Sequence, residues 1–551
     1  MTVWNLWSST SAETGQDGTQ QAAPRSLGPV FWPGRIRISP VVALFIVILL
    51  LGVFARIWEF GSLPPGLGQD EASNGVDAFS LYRFGMDRNG DPFPVHFVSW
   101  GSGQDVLYAY LIIPFIALGG LNPLMVRLPM LLSGILILPL MYVAARRSAG
   151  QTVGLIAMFL LAISPWHIMW SRWGNESTLL PFVFLLGFSC LLKSSSHNAW
   201  FVAATFFLAL SLYAYGTAYA AVPVVVACAV LILRRWHRVS LRNLLIGLGV
   251  LVITGTPIGL YILGNWFNWD TIRLGPITIP SLTSEARYET LIPLGSEAPL
   301  LRAARNLHGL LKLLWEGTDY RMHHVIEPYG YGYPYTLPLA IIGIVLLIPW
   351  RDSRRIPERL LWLSWLLAAL LTGALVPANI NRVNLIYIPL VFCTATCLGW
   401  LAGRWKGAFA LALCAFVVAF VLFTRDYHSE EYRREIQGAF YSGLLPALDF
   451  ARNAGDNPIC VSNEVDEGYI FAWFVEPEDP LESLKRMTVE DPNAAFRRVG
   501  TLGRYGFRMD DMENCVDGPR TIYVLHDKES PPDPGLTYDV ARFGLYRVLV
   551  P

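Results

Sequence analysis

The chain has 551 residues, 53% of them hydrophobic and 19 of them Trp, with a mean hydropathy of +0.41. That composition excludes an ordinary soluble enzyme and indicates a polytopic membrane protein. The zero net charge hides a split: up to Thr424 there are 28 Lys and Arg against 19 Asp and Glu, and from Arg425 onward 14 against 23, so the C-terminal part reads as a separate acidic, soluble module.

Residues 1–39 are polar, contain Pro and Gly and lack an apolar centre; they read as a cytoplasmic tail rather than a signal peptide. Apolar stretches long enough to span a bilayer begin near residues 40, 123, 151, 177, 198, 217, 241, 335, 358, 383 and 406, which predicts eleven transmembrane helices within a membrane domain over 40–424. The run "VLYAYLIIPFIALGG" at 106–120 is apolar too, but it is short and interrupted by Pro114. If it does not cross, 16 basic residues against four acids face the cytoplasm; if it does, most of the basic clusters move outside. Lys and Arg gather on the cytoplasmic side, so 106–120 is expected to lie along the outer leaflet.

This orientation puts a first loop (59–122), a large loop (265–334), the bends at 171–176 and 377–382, and everything from 425 on the exoplasmic face. Within 425–551, "PICVSN", "TIYVLHD" and "LYRVLV" read as strands, 442–453 has a helical pattern and "SPPDPG" reads as a loop, which predicts a small α/β domain. Five of the seven cysteines sit in apolar runs; Cys460 and Cys515 sit in this polar tail, where an oxidising compartment would let them pair.

The candidate chemistry lies at helix mouths on that face. Asp70 and Glu71, in "GLGQDEASNGVDAF", follow the helix-breaking "LPPGLGQ"; Asp70 serves either as a cap for free helix N–H groups or as a general base for a hydroxyl. Arg127 in "NPLMVRLPMLLSG" is either an interfacial arginine or a ligand for a lipid-linked phosphate. "SPWHIMWSRWGNEST" places Arg172, Asn175 and Glu176 at a bend, and "VPANINRVNLIYIPL" places Arg382 in an Asn-rich turn suited to an anion. In "DYRMHHVIEPYGYGYPYTLPL", His323, His324 and Tyr331 belong to an aromatic, glycine-hinged segment read as a lid. A divalent metal on His323, His324 and Glu327 stays open, with a poor ligand count. No cofactor is required by any motif, and no P-loop or dinucleotide fingerprint supports ATP-driven transport.

In combination, "QDEASNGVDAFSLYRFG", "VRLPMLLSGIL", "SPWHIMWSRWGNEST" and "NRVNLIYIPL" resemble the polytopic GT-C class glycosyltransferases, specifically the protein O-mannosyltransferase and aminoarabinose (lipid A) transferase relatives, over roughly residues 40–425. The resemblance implies a multi-pass plasma-membrane enzyme that moves a sugar from a polyprenyl-phosphate donor to an exoplasmic acceptor hydroxyl, on protein, lipid or polysaccharide, with inversion. It implies Asp70 as the base, Glu71 and Glu176 as acceptor-positioning groups, and Arg127, Arg172 and Arg382 near the donor phosphate. Where relatives often carry a Lys-Pro-Pro-Leu-Tyr type run, this chain has "GSGQDVLYAYL", with Gln104 and Asp105 and no lysine, so the sugar is left unnamed. A flippase for a lipid-linked glycan and a non-catalytic membrane scaffold are the competing readings; a flippase would show internal repeats and midplane charges.

Overall fold

The computed structural model describes residues 39–99, 103–194, 196–282, 298–348, 355–489, 498–507, 515, 520–530 and 536–551. The expected N-terminal tail up to residue 38, basic residues Arg351 and Arg354, and residues 531–535 of the "SPPDPG" loop lie outside the described residues.

Helix α1 (Pro40–Ile57) runs to the break expected from "LPPGLGQ", followed by α2 (Gln69–Phe84) and α3 (Leu107–Gly119). Then come α4 (Pro123–Ala149), α5 (Gln151–Ala162), α6 (Pro165–Trp170), α7 (Glu176–Lys193), α8 (Ala199–Leu210), α9 (Ala218–Arg235) and α10 (Leu241–Trp266). After α11 (Pro299–Glu316) the helices are α12 (Thr336–Leu347), α13 (Ile356–Leu375), α14 (Ile380–Arg404) and α15 (Lys406–Tyr427).

Eight of these, α1, α4, α7, α9, α10, α13, α14 and α15, are long and apolar enough to cross a membrane. The other three predicted spans, beginning near 151, 198 and 335, are shorter: α5, α8 and α12 have 12 residues each, about 18 Å of helix against a hydrocarbon core of about 30 Å. The bend at Ser164 before Pro165 cuts the first of them, because proline disfavours helical backbone in the residue before it. Helix α3 has 13 residues with Pro114 inside; it buries Tyr108, Ala109, Ile112 and Ile116, one face at helical spacing, and leaves Leu111 and Leu118 exposed.

Burial separates the bundle into centre and rim. Helices α7 and α14 are 78% and 72% buried over their most apolar windows, whereas α15 is 11% buried and presents Leu411, Val417, Val418 and Val421 outward, as lipid-facing helices do. Helices α12 and α14 pack so closely that a Cβ at Gly343 would collide with the Cys393 carbonyl, the small-residue contact expected where lipid supplies no hydrophobic drive. The large loop expected at 265–334 is not irregular: it holds a hairpin, β3 (Ile272–Leu274) and β4 (Ile277–Ile279), and the amphipathic α11. In the first loop, β1 (His96–Phe97) pairs with β2 (Gln104–Asp105).

Beyond α15 lies a seven-stranded sheet of order β10-β11-β9-β5-β8-β7-β6. Its strands are β5 (Ile459–Val461), β6 (Met487–Val489), β7 (Val499–Leu502), β8 (Tyr505–Phe507), β9 (Ile522–His526), β10 (Asp539–Phe543) and β11 (Tyr546–Val550). The three strands predicted from sequence are β5, β9 and β11, and the helical pattern is α17 (Leu444–Asn453), which follows the short α16 (Glu430–Glu435). Central β5 runs parallel to both β8 and β9, and all three are buried along their length, the uniformly apolar signature of parallel strands covered on both faces. A disulfide joins Cys460 in β5 to Cys515, with 5.5 Å between Cα atoms.

Candidate active site

Three distant sequence motifs meet at the end of the bundle that carries α2. Helix α2 starts at Gln69 with Gly68 as N-cap, so Asp70 lies in the first turn rather than at the cap. Glu71, not Asp70, satisfies the start of the helix: its Oε2 accepts the Gly68 N–H at 2.9 Å. Asp70 is left half-buried, with Oδ2 accepting a hydrogen bond from Asn175 Nδ2 at 3.1 Å.

The orientation of Asn175 is fixed from behind. Its Oδ1 accepts both the N–H and the hydroxyl of Ser177, at 2.9 and 2.8 Å, which caps α7 and turns the amide nitrogen toward Asp70. The Ser177 hydroxyl also reaches Asn381 Oδ1 at 3.1 Å, and Asn384 Nδ2 donates to the Ser177 carbonyl at 2.6 Å. The chain Asp70, Asn175, Ser177, Asn381 therefore ties α2, α7 and α14 together.

Asp70 opens into a cavity of about 620 Å³ whose lining includes Gln69, Trp173, Asn175, Arg321, His323, His324 and Asn381, closed by 439–441 from the segment that precedes the sheet. Aromatic edges form its wall: Trp173 meets Phe440 with centroids 5.5 Å apart, and His324 stacks on Trp173 at 6.4 Å. The first loop is pressed onto this segment, since Leu67 N–H donates to the Phe440 carbonyl at 2.8 Å; at Gly66, with φ of 76°, a Cβ would collide with that same carbonyl. Trp173 Nε1 is buried with no acceptor among the described residues. Burial, with the charges of His324 and Arg321, pushes the His323 imidazole down to about 3, so it is neutral in the wall. His324 Nδ1 is 2.7 Å from Asp319 Oδ2.

The structure reassigns several expected roles. Arg127 is fully buried and bidentate to Glu71, with Nε to Oε1 at 2.7 Å and Nη2 to Oε2 at 2.8 Å, and two of its three remaining N–H groups go to the carbonyls of Pro64 and Gly66. Glu71 also accepts the Gly174 N–H at 2.8 Å. The pair clamps the first loop to α4 and to the bend before α7; both side chains are fully buried and neither lines the Asp70 cavity. Arg172 is likewise buried, donating to the carbonyls of Leu63 and Arg56 at 3.2 Å each at the C-terminal end of α1, while its Nη2 is buried with no hydrogen-bond partner among the described residues. Glu176 is 3% exposed, accepts the Asp105 N–H at 3.0 Å and does not line the cavity.

Tyr331 lines a separate aromatic cavity of about 670 Å³ with Trp166, Trp315, Tyr333 and Tyr387, so the segment expected to form a single lid contributes His323 and His324 to one cavity and Tyr331 to another. Arg382 is half-buried beside Asn381 and does not itself line the cavity; among the described residues no carboxylate pairs with the side chain of Arg382 or of the exposed Arg321, whose main-chain N–H donates to Asp319 Oδ1 at 3.3 Å. Arg321 was not singled out from sequence, although it stands two residues before His323 in a stretch whose histidines drew the attention. In place of the missing lysine run, Gln104 accepts from Ser73 at 2.6 Å and Asp105 from the Gly216 N–H at 3.0 Å. Among the described residues there is no group of three His, Cys, Asp or Glu side chains able to hold a metal.

The bundle of long apolar helices, with a sheet following the last of them, has the GT-C fold. ArnT from Cupriavidus metallidurans bound to undecaprenyl phosphate superposes with a TM-score of 0.55 at 13% identity, covering 92% of this chain and 97% of that one. The same protein in the apo state gives 0.53 at 13% identity with the same coverage. Residues 104–258 match the family model for dolichyl-phosphate-mannose-protein mannosyltransferases. No curated protein matches the sequence.

Proposed function

We propose that this protein transfers a sugar from a polyprenyl-phosphate donor to an acceptor hydroxyl on the exoplasmic face, with inversion, and that Asp70 is the base. The observation that carries this reading is the division of labour between two adjacent acids. Glu71 is consumed by Arg127 and two backbone N–H groups, while Asp70 is steered by Asn175 into a cavity. The fold shared with a protein bound to undecaprenyl phosphate supports the choice of donor class.

In the reaction the acceptor oxygen attacks the anomeric carbon as its proton passes to the Asp70 carboxylate. The bond from that carbon to the phosphate oxygen breaks, and polyprenyl phosphate leaves with the electron pair. Arg321, which lines the Asp70 cavity, and Arg382, next to the lining residue Asn381, are the candidates for neutralising the phosphate: a planar guanidinium suits that oxyanion, and a good leaving group then needs no strong acid. Asn175 holds the base, and Trp173 Nε1 is a donor left for bound substrate.

The test is incubation of the purified full chain with a panel of polyprenyl-phosphate sugars, with and without magnesium chloride, measuring release of polyprenyl phosphate and glycosylated product. Turnover with at least one donor supports the reading; no turnover with any of them overturns it.

A further inference from the structure

In an α/β sheet, the crevice beyond the carboxyl ends of parallel strands is where ligands bind, because the chain must leave those ends in loops. Strand β5 is flanked by two parallel neighbours, and its carboxyl end opens into residues 462–468 before α18 (Gly468–Val475). At that edge, with Phe507 from the carboxyl end of β8, lies a second cavity of about 1130 Å³. Asn463 and Asp466 are exposed within its lining, Glu467 is half-buried, and Arg498 is on the rim.

This cavity adjoins the Asp70 cavity. Gln69 lines both, one residue before Asp70, and the hydroxyl of Tyr441 in the first cavity lies 3.5 Å from Asp466 Oδ2 in the second. The relation is held by packing: α18 lies on α2, where Phe474 fills the space that Gly75 leaves free.

We infer that the cavity at the carboxyl end of β5 is the acceptor site of the transfer proposed above, and that it takes a neutral, polyhydroxylated glycan. The inference rests on that transfer reading and adds the acceptor class. Two carboxylates, two amides and one arginine can accept and donate several hydrogen bonds at once, as sugar hydroxyls require, and Tyr469 and Phe507 supply apolar lining. A phosphorylated headgroup would meet two acids against a single exposed arginine. Burial, helped by the charge of Asp466 and opposed by Arg88, pushes the Glu467 carboxyl up to about 7, so near neutrality it can donate as well as accept.

The test is calorimetric binding of mannotriose, arabinotriose and cellotriose to the detergent-solubilised full chain, with mannose 6-phosphate and a Ser/Thr-rich peptide as competing classes. Asn463→Ala and Asp466→Ala remove exposed side chains and should leave the fold intact. The expected result is binding of at least one trisaccharide, weakened tenfold or more by either substitution and unchanged in Asp70→Asn. No trisaccharide binding, equal binding in both variants, or binding of the phosphosugar or peptide alone overturns the inference. Trisaccharide binding in a chain that transfers nothing would instead count against the Asp70 chemistry, so the two failures can be told apart.

Discussion

Arg127 and Glu71 form a bidentate ion pair in which both side chains are fully buried, although 56 residues separate them. Such a pair contributes little beyond a packed apolar substitute, but breaking it leaves a charge stranded without water. Glu71→Ala or Arg127→Ala should therefore cost about 3 to 5 kcal/mol of stability, seen as a large fall in the unfolding temperature in detergent. A raised donor KM with unchanged stability in Arg127→Ala would restore the phosphate role that the geometry removes from it.

Asn175 has two duties, and its loss should show both. Capping of α7 through Ser177 is worth about 1 kcal/mol, so Asn175→Ala should lower stability by that amount. Release of Asp70 from its steering bond should lower kcat tenfold or more with little change in donor KM. Steady-state kinetics beside a thermal melt separate the two effects.

Arg321 and Arg382 should behave oppositely to Arg127. Among the described residues neither side chain has a carboxylate to abandon, so Arg321→Gln and Arg382→Gln should change stability by less than about 0.5 kcal/mol. One lost charge-assisted hydrogen bond of about 1.5 kcal/mol to phosphate should raise donor KM about tenfold in each variant and leave acceptor KM unchanged.

His323 gives a pH signature. Its folded value of about 3 lies below the ordinary value of about 6.5. As pH falls through about 6.5 the unfolded chain takes up a proton that the folded chain refuses, so stability declines until about pH 3 and then levels. The decline should approach roughly 1 kcal/mol per pH unit after allowance for partial exposure, and His323→Asn should flatten it in melts recorded between pH 7 and 4.

Much of this was legible in the sequence because it depends on local pattern. Long apolar runs marked the eight helices long enough to span, although three further runs form helices of only 12 residues, and the largely apolar β5 and β9 stood out between turn residues. Strands β6, β7 and β8 did not, having three or four residues with Gly or Thr among them, nor did the edge strand β10, which carries Asp539 and Arg542; their pairing is set by neighbours across the sheet. The site was half legible. Asp70, Asn175 and Arg382 lie in motifs that stand out, but a sequence does not say which of two adjacent acids an arginine 56 positions away will take. Nor does it show that residues 439–441 close the cavity, because those contacts, from Leu67 N–H to the Phe440 carbonyl and from the Phe440 ring to Trp173, join segments far apart in the chain.

The central claim is that Asp70 accepts the proton from the acceptor. Its most direct test is single-turnover transfer by Asp70→Asn, compared with the wild type using the donor that supports turnover and with donor binding measured in parallel. The account predicts that transfer falls by a factor of about 10² to 10⁴, while donor affinity and unfolding temperature stay close to wild type. Undiminished transfer by Asp70→Asn would contradict it.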